Sequence, residues 1–319
     1  MVWRCHVGID EQNDRSRIGW EFLRPYLEPF VDHYVFSDRR FAPDWVADRD
    51  LSVIWPSIDP FAPKNQELDD ATAEAILTHV GLIAGTPGET VFERTDGSPG
   101  RVELMCDVVR TGPPPGPDVP LVAQISRWDS MKDMGGVMQA FADYVDSGRD
   151  AQLVLAGPVV SAVADDPEGG QVLQDCWNQW RQLPHAVRSR VQLVCLPMHD
   201  LEENAVIVNA LQRHAHVVAQ KSLAEGFGLT AAEAMLKGTP VVASAVGGLV
   251  DQVIDGESGL LVQDPTDLEE FGVAVCRILD DDGFRRQLGE GARQRAIDTH
   301  LGDTHLRKWL GVVRALYGD

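Results

Sequence analysis

The feature that most constrains this chain is the regular alternation that begins after a proline-rich break. Thr111-Gly112-Pro113-Pro114-Pro115-Gly116-Pro117-Asp118 holds four prolines and two glycines in eight residues, which cannot continue a helix or a central strand. Beyond it, apolar runs suited to buried strands recur at 120–125, 152–156, 191–195, 216–219, 240–243 and 259–262. Segments with helical spacing, such as Val137 to Tyr144 and Glu203 to Gln212, lie between them. Strand and helix in alternation imply a parallel sheet covered on both faces. Ligands of such sheets bind outside the carboxyl ends of the strands, so the loops that follow the runs are where chemistry is expected.

The first part is less regular. Val2 to Val7 and Leu51 to Trp55 read as strands, Ile18 to Phe30 as a helix, and Thr86 to Pro117 as a surface excursion. The 319 residues exceed what one compact core usually holds. The expected organisation is an α/β chain of two facing Rossmann-like doubly wound domains. Residues 1–118 form an incomplete N-terminal, acceptor-side domain and 119–302 a complete C-terminal one. Residues 303–319 form a last amphipathic helix (Leu306, Trp309, Leu310, Val313, Leu316) that packs back toward the N-terminal domain.

Charge and cysteine content exclude several function classes. A net charge of −21 lacks the basic footprint of a nucleic-acid binder. It also means that a phosphate-bearing ligand needs local cations and backbone amides against an unfavourable field. Five scattered cysteines without a Cys-x-x-Cys pair fit a reduced, cytoplasmic protein with neither a disulfide framework nor a zinc site. His214-Ala215-His216 has no third metal ligand in view. Asp165-Asp166 and Asp280-Asp281-Asp282 read as solvated turns, and Trp177, Trp180 and Trp309 as packing residues. No run of about 20 apolar residues is present to span a membrane.

The most informative segment is Gln220-Lys221-Ser222-Leu223-Ala224-Glu225-Gly226-Phe227-Gly228-Leu229-Thr230-Ala231-Ala232-Glu233. A strand ends, a loop carries a carboxylate and two glycines, and a helix begins at once. Small residues let backbone approach a ligand, and the free amides of a helix start attract anionic or electron-rich oxygens. Glu233 falls about one and a half turns inside the helix and is expected to face the same cleft. Read alone, Gly226 and Gly228 more often mark an ordinary tight turn between solvated glutamates.

Glu225 and Glu233, with Gly226-Phe227-Gly228 between, resemble the signature of glycosyltransferase family 4 and related GT-B enzymes. The resemblance runs from about Leu121 to His305. It implies that Glu225 contacts the donor sugar and Glu233 the ribose hydroxyls, with Gly226, Phe227, Gly228 and Leu229 lining the donor. Arg127 and Lys132, five residues apart after the first strand of this region, match the pair that such enzymes use to hold the diphosphate. Two cations there would stabilise the departing nucleoside diphosphate without a metal. Ala245-Val246-Gly247-Gly248 resembles the glycine turn that faces the nucleotide.

Further wording is similar to the trehalose synthase and trehalose phosphorylase branch: Trp3-Arg4-Cys5-His6, Pro56-Ser57-Ile58-Asp59-Pro60, Asp165-Asp166-Pro167-Glu168-Gly169, Val208 to Arg213 and Ala219 to Ser222. By that likeness His6 lies near the donor sugar, although a partly buried strand histidine accounts for it too. Leu236 departs from the branch, which often has an aromatic residue there. Members of the branch carry additional sequence before the Trp-Arg-Cys-His strand. The chain is therefore expected to be a late-started or naturally shortened form whose N-terminal sheet exposes an edge or an apolar face.

The implied activity is retaining, metal-independent transfer of a glucosyl group from a nucleoside-diphosphate sugar, as co-substrate, to a small sugar acceptor. Two alternatives stand beside it, a catalytically incomplete nucleotide-sugar-binding fragment and a trehalose phosphorylase. No other cofactor is implied, and self-association into a homo-oligomer is left open.

Overall fold

The computed structural model describes residues 1–6, 8–10, 12–145, 148–160 and 167–318. Val7, Asp165 and Asp166, which entered the sequence reading, lie outside the described residues. The chain begins with β1 (Val2–Cys5), α1 (Asp14–Leu27), β2 (His33–Phe36) and β3 (Leu51–Val53). These strands form a parallel sheet in the order β1-β2-β3. Asn13 starts α1 by accepting the Ser16 amide, while the Ser16 hydroxyl accepts the Asn13 amide, so two orphan donors of the first turn are satisfied together. One face of the sheet packs through Tyr34 and Phe36 against Trp20, Leu23 and Leu27, with Trp3 edge-on to Trp20 and Phe36 at 5.9 Å. Val35 points to the opposite face, as strand alternation requires. There it meets Ile54 and the final helix, α11 (Gly302–Tyr317), through Trp309, Val312 and Leu316.

Both covering helices carry a second apolar stripe that stays in solvent. Ile18, Phe22, Tyr26 and Phe30 recur every four residues along and just beyond α1, and Leu306, Leu310, Val313 and Tyr317 recur every three or four on α11. β1 is an edge strand, hydrogen-bonded to β2 alone among the described strands.

The rest of the chain builds a larger unit. Its elements are α2 (Asp70–His79), the hairpin β4 (Val91–Glu93) and β5 (Pro99–Arg101), β6 (Asp107–Val109), β7 (Leu121–Ile125), α3 (Met134–Ala140), β8 (Gln152–Pro158), α4 (Pro167–Gln182), α5 (His185–Arg188), β9 (Val191–Leu196), α6 (Leu201–His214), β10 (Val217–Gln220), α7 (Leu229–Leu236), β11 (Val241–Ser244), α8 (Leu249–Gln252), β12 (Leu260–Val262), α9 (Leu268–Leu279) and α10 (Asp282–His300). Seven strands lie in the order β12-β11-β10-β7-β8-β9-β6, all parallel except β6, which runs antiparallel to β9. Alternate residues of each strand enter opposite cores: Ala123 and Ile125 pack with α2, α6, α7 and α10, whereas Val122 packs with α3, α4, α5 and α9. Burial on both faces is why these strands read as continuous apolar runs. The order reverses beside β7, whose neighbours are β8 and β10, and this is the switch point where a doubly wound sheet opens a crevice.

The division of the chain between the two sheets differs from the division expected at 118. β6 joins the larger sheet, α2 packs on α6, and Phe92 and Val102 of the expected surface excursion are buried in the larger core. The proline-rich run leads from β6 to β7 within one unit, with the Ala84 amide bonded to the Pro115 carbonyl at 2.7 Å. Prolines stop an element equally well inside a unit and between units, so the run could not tell the two apart. The chain passes from one unit to the other at two crossing strands near Pro56–Ile58 and His300–Leu301, where the Ile58 amide donates to the His300 carbonyl at 2.7 Å.

Candidate active site

The crevice at the switch point is built by the loops after β7 and β10. Trp128 is buried and donates its indole N–H to the Pro158 carbonyl at 3.0 Å, anchoring the first loop to the end of β8. Asp129 caps the following turn by accepting the Met131 amide at 2.8 Å, and this sets the direction of Lys132. The Leu223 amide then donates to the Met131 carbonyl at 2.8 Å, so the two loops are joined by backbone. Below them Lys221 is fully buried, its ammonium bonded to the Asp133 carboxylate and to the Pro265 carbonyl at 2.8 Å. Asp133 sits in the left-handed region at φ 46° and caps α3 through the Gly136 amide. One buried cation thus ties together the segments after β7, β10 and β12.

Glu225 is the centre of the site. Its Oε2 accepts from Lys132 Nζ at 2.6 Å, Gln220 Nε2 at 2.9 Å and Ser222 Oγ at 3.2 Å, and its Oε1 accepts from the Gly226 amide at 3.2 Å. The carboxylate is almost buried, as is Lys132. Held by four donors, it cannot rotate freely, which suits a group that positions a ligand. Gly228, at φ 87°, begins α7 without a side-chain cap, so the opening turn of this helix keeps backbone donors for an anion.

Gly247 and Gly248 lie directly against this loop. The Gly248 amide donates to the Gly226 carbonyl at 2.9 Å, and a Cβ on Gly247 would stand 1.8 Å from the Glu225 carbonyl oxygen. Gly247 also has a φ of 53°, so a side chain there is excluded by contact and by backbone conformation. Gly247→Ala is expected to lower stability by about 2 kcal/mol, because a backbone oxygen has nowhere to retreat. Urea unfolding measures this, and a change below about 0.5 kcal/mol would show that the two loops are not packed as described.

The first unit reaches the same loop. A Cβ on Gly226 would lie 3.9 Å from the His6 carbonyl, which puts the end of β1 beside the Glu225–Gly228 loop. His6 Nδ1 is 3.3 Å from Ser37 Oγ. Partial burial, together with Arg4 and His305 nearby, lowers its pKa. The Gly247 amide donates to Asp10 Oδ2 at 2.8 Å, and Arg40 donates to the Gly247 carbonyl at 2.9 Å. Arg40 itself is held by Asp38 and by Asp10 at 3.2 Å. The glycine turn assigned to the nucleotide is therefore occupied here by a carboxylate oxygen from across the seam.

Other expected residues are placed differently. Arg127 is mostly exposed and reaches along its own loop to Asp129 Oδ2 at 2.9 Å. Phe227 turns inward, with its ring 6.1 Å from Trp55 and 5.6 Å from His300. Leu229 remains partly exposed at the start of α7. Glu233 is buried on α7 with Lys64 Nζ 2.9 Å from its Oε2, a partner supplied by the segment before α2 rather than by the Glu225 cluster. Helical periodicity places Glu233 inside the helix, but the side it faces depends on what the rest of the chain packs there.

Lys221, Asp10, Arg40, Lys64 and His300 escaped the sequence reading as site residues. Lys221 is the one with a local signal, since a lysine at the end of an apolar strand run needs a buried carboxylate. His300 is fully buried beside Phe227, and desolvation, with Arg295 and Lys308 nearby, pushes its pKa down to about 4. It is a neutral packing residue at the crossing of the two units. All five cysteines are free thiols. Among the described residues no helix is long and apolar enough to cross a membrane.

Two α/β units, with the Glu225–Gly228 loop of one meeting the end of β1 from the other, define a chain of the GT-B glycosyltransferase class. Residues 113–295 match the family "Glycosyl transferases group 1", and the chain belongs to that family. It is 31% identical to the trehalose synthase of Pyrococcus horikoshii and 31% identical to that of Rubrobacter xylanophilus, over 99% of this chain in both comparisons. The chain spans 64% of the length of each of these relatives. Among solved structures it superposes on the sucrose-phosphate synthase of Thermosynechococcus elongatus with a TM-score of 0.66 at 26% identity, covering 96% of this chain and 63% of that one. Anabaena Alr3699/HepE in complex with UDP and glucose matches in fold, with a TM-score of 0.68 at 16% identity over 98% of this chain and 71% of that one.

Proposed function

We propose that this chain binds a nucleoside-diphosphate sugar at the Lys132–Glu225 crevice and supports retaining transfer of a glucosyl group to a sugar acceptor, in the manner of a trehalose synthase. The observation that carries the reading is the 2.6 Å pair of Lys132 and Glu225 at the switch point, beside the Gly226 amide. An ammonium has three donors, so Lys132 can keep Glu225 and still meet a diphosphate oxygen. As the bond from the anomeric carbon to the diphosphate lengthens, negative charge grows on the leaving oxygen, and Lys132 and Arg127 stabilise it. Glu225 and the amides of Gly226 to Gly228 hold the sugar. Leu229, Gly247 and Gly248 line the donor, and Glu233 takes the ribose hydroxyls. The Gly247 amide already holds an anionic oxygen, that of Asp10, which suits it to a phosphate once Asp10 moves aside. Front-face attack assisted by the departing phosphate accounts for retention, with His6 beside the donor sugar. Relatives matched over nearly the whole chain include trehalose synthases, which supports glucose as the group transferred.

Calorimetric titration of the purified chain with UDP, ADP and GDP tests the donor site. One nucleotide is expected to bind, with affinity falling at least about tenfold in Arg127→Ala and in Glu233→Ala, as loss of a charge-assisted hydrogen bond requires. Absence of binding by a folded chain would sink the reading. Disaccharide formation from the matching nucleotide-glucose and free glucose then tests transfer separately from binding.

A further inference from the structure

At the opposite end of the larger sheet from the donor crevice, a second concave site gathers positive charge. The cavity, about 280 Å³, lies where the C-terminal ends of α6 and α7 meet one side of α10. Arg213, Lys237, Arg285, Arg286 and Arg293 line it, together with Thr239 and the backbone of Gly238 and Gly289. Five basic side chains around one small cavity run against the trend of a chain whose net charge is −21.

The ordinary explanation for cations at helix C-termini is that they offset the carbonyl ends. It covers Arg213 and Lys237, which stand at the ends of α6 and α7. It does not cover Arg285, Arg286 and Arg293, which come from the body of α10, with Arg285 and Arg293 on one face two turns apart. Neighbouring carboxylates offset part of this charge and leave Lys237 and Arg286 bonded to neutral oxygens. Glu67 takes Arg213 at 3.0 Å and Arg293 at 2.9 Å, Asp282 takes Arg285 at 2.9 Å, and Glu290 stands at the rim. Lys237 is nearly buried and gives its ammonium protons to neutral oxygens, Asn65 Oδ1 at 3.0 Å and the Glu233 carbonyl at 3.1 Å. Arg286 donates to the Asp282 carbonyl at 3.3 Å. Burial, opposed by Glu233 and reinforced by Arg213 and Lys64, pushes the Lys237 pKa down to about 7, as desolvation of an ammonium does.

We propose that this cavity binds a small dianion, a free phosphate or the phosphate group of a sugar phosphate, between Arg285 and Arg286 of α10 and the Arg213–Lys237 wall. Planar guanidinium groups suit phosphate oxygens, and the cavity is large enough for the phosphate with a sugar attached. The site stands at the far end of α7, the helix that begins at the donor loop, so the two sites share one short rigid element.

The test is calorimetric titration of the full chain with inorganic phosphate and, separately, with glucose 6-phosphate. Three proteins are compared: the unaltered chain, Lys132→Ala, and the double variant Arg285→Gln/Arg286→Gln. The proposal expects saturable phosphate binding that survives Lys132→Ala and weakens at least about tenfold in the double variant. Equal affinity for the two ligands assigns the site to free phosphate, and tighter glucose 6-phosphate assigns it to a sugar phosphate. Circular dichroism and urea unfolding confirm that the double variant is folded, as expected for two side chains at the rim of a helix. Absence of saturable binding by the unaltered chain overturns the proposal. So does binding that disappears in Lys132→Ala but persists in the double variant, because the anion would then occupy the donor crevice.

Discussion

Replacing Lys132 by alanine is expected to lower glucosyl transfer by about 10²–10³-fold, the usual cost of removing one preorganised donor to a developing negative charge. The protein should remain folded. Glu225 loses its cation but keeps Gln220 Nε2, Ser222 Oγ and the Gly226 amide, so stability should fall by only about 1–2 kcal/mol. Arg127, mostly exposed and paired with Asp129, would have to reorient to meet a leaving group and should matter less than Lys132. Turnover with the nucleotide-glucose identified by titration measures the effect. A loss below about tenfold, in a variant shown to be folded, would remove Lys132 from the leaving-group side of the reaction.

Lys221→Ala should have the largest effect on stability, about 3 kcal/mol, at the low end of the range for breaking a buried ion pair. The low end applies because Asp133 keeps part of its side chain in water while Lys221 has none exposed. Removing the ammonium leaves Asp133 without its cation, frees the Pro265 carbonyl and opens a cavity under both loops. Because Asp133 follows Lys132 directly, the variant should also bind donor nucleotide more weakly, although Lys221 touches no ligand itself. Lys221→Met, which fills the space without the charge, should leave much of the same deficit by stranding Asp133. Urea unfolding with an unchanged m-value, alongside nucleotide titration, checks both parts. A shift below about 1 kcal/mol together with unaltered binding would show that the three loop segments hold their places without this lysine.

The larger sheet was legible in the sequence because its strands are buried on both faces, so each apolar run marks a strand to within a residue or two. β7 through β12 fall where the runs lie. The short strands of the first unit and of the larger sheet's edge were harder to read. β2, His33–Phe36, mixes a histidine with aromatic and apolar residues, and β6 is a three-residue edge strand with an exposed aspartate. Neither has the length or the uniform polarity that separates a strand from a loop.

Around the site, local order in the chain determined what a single loop can set: that Glu225 precedes a glycine turn and a helix start, and that Lys132 follows a strand end on a capped turn. Tertiary structure alone decided which groups meet. The Lys132–Glu225 pair spans two loops, Lys64 meets Glu233 from the segment before α2, and Asp10 and Arg40 reach Gly247 from the other unit. The same limit hid the division of the chain between its sheets, since a proline-rich run shows that an element stops but not which core the next one joins. Periodicity and turn chemistry act over a few residues and are written in the sequence. Charge pairing and close backbone approach depend on distances that exist only once the sheets have packed.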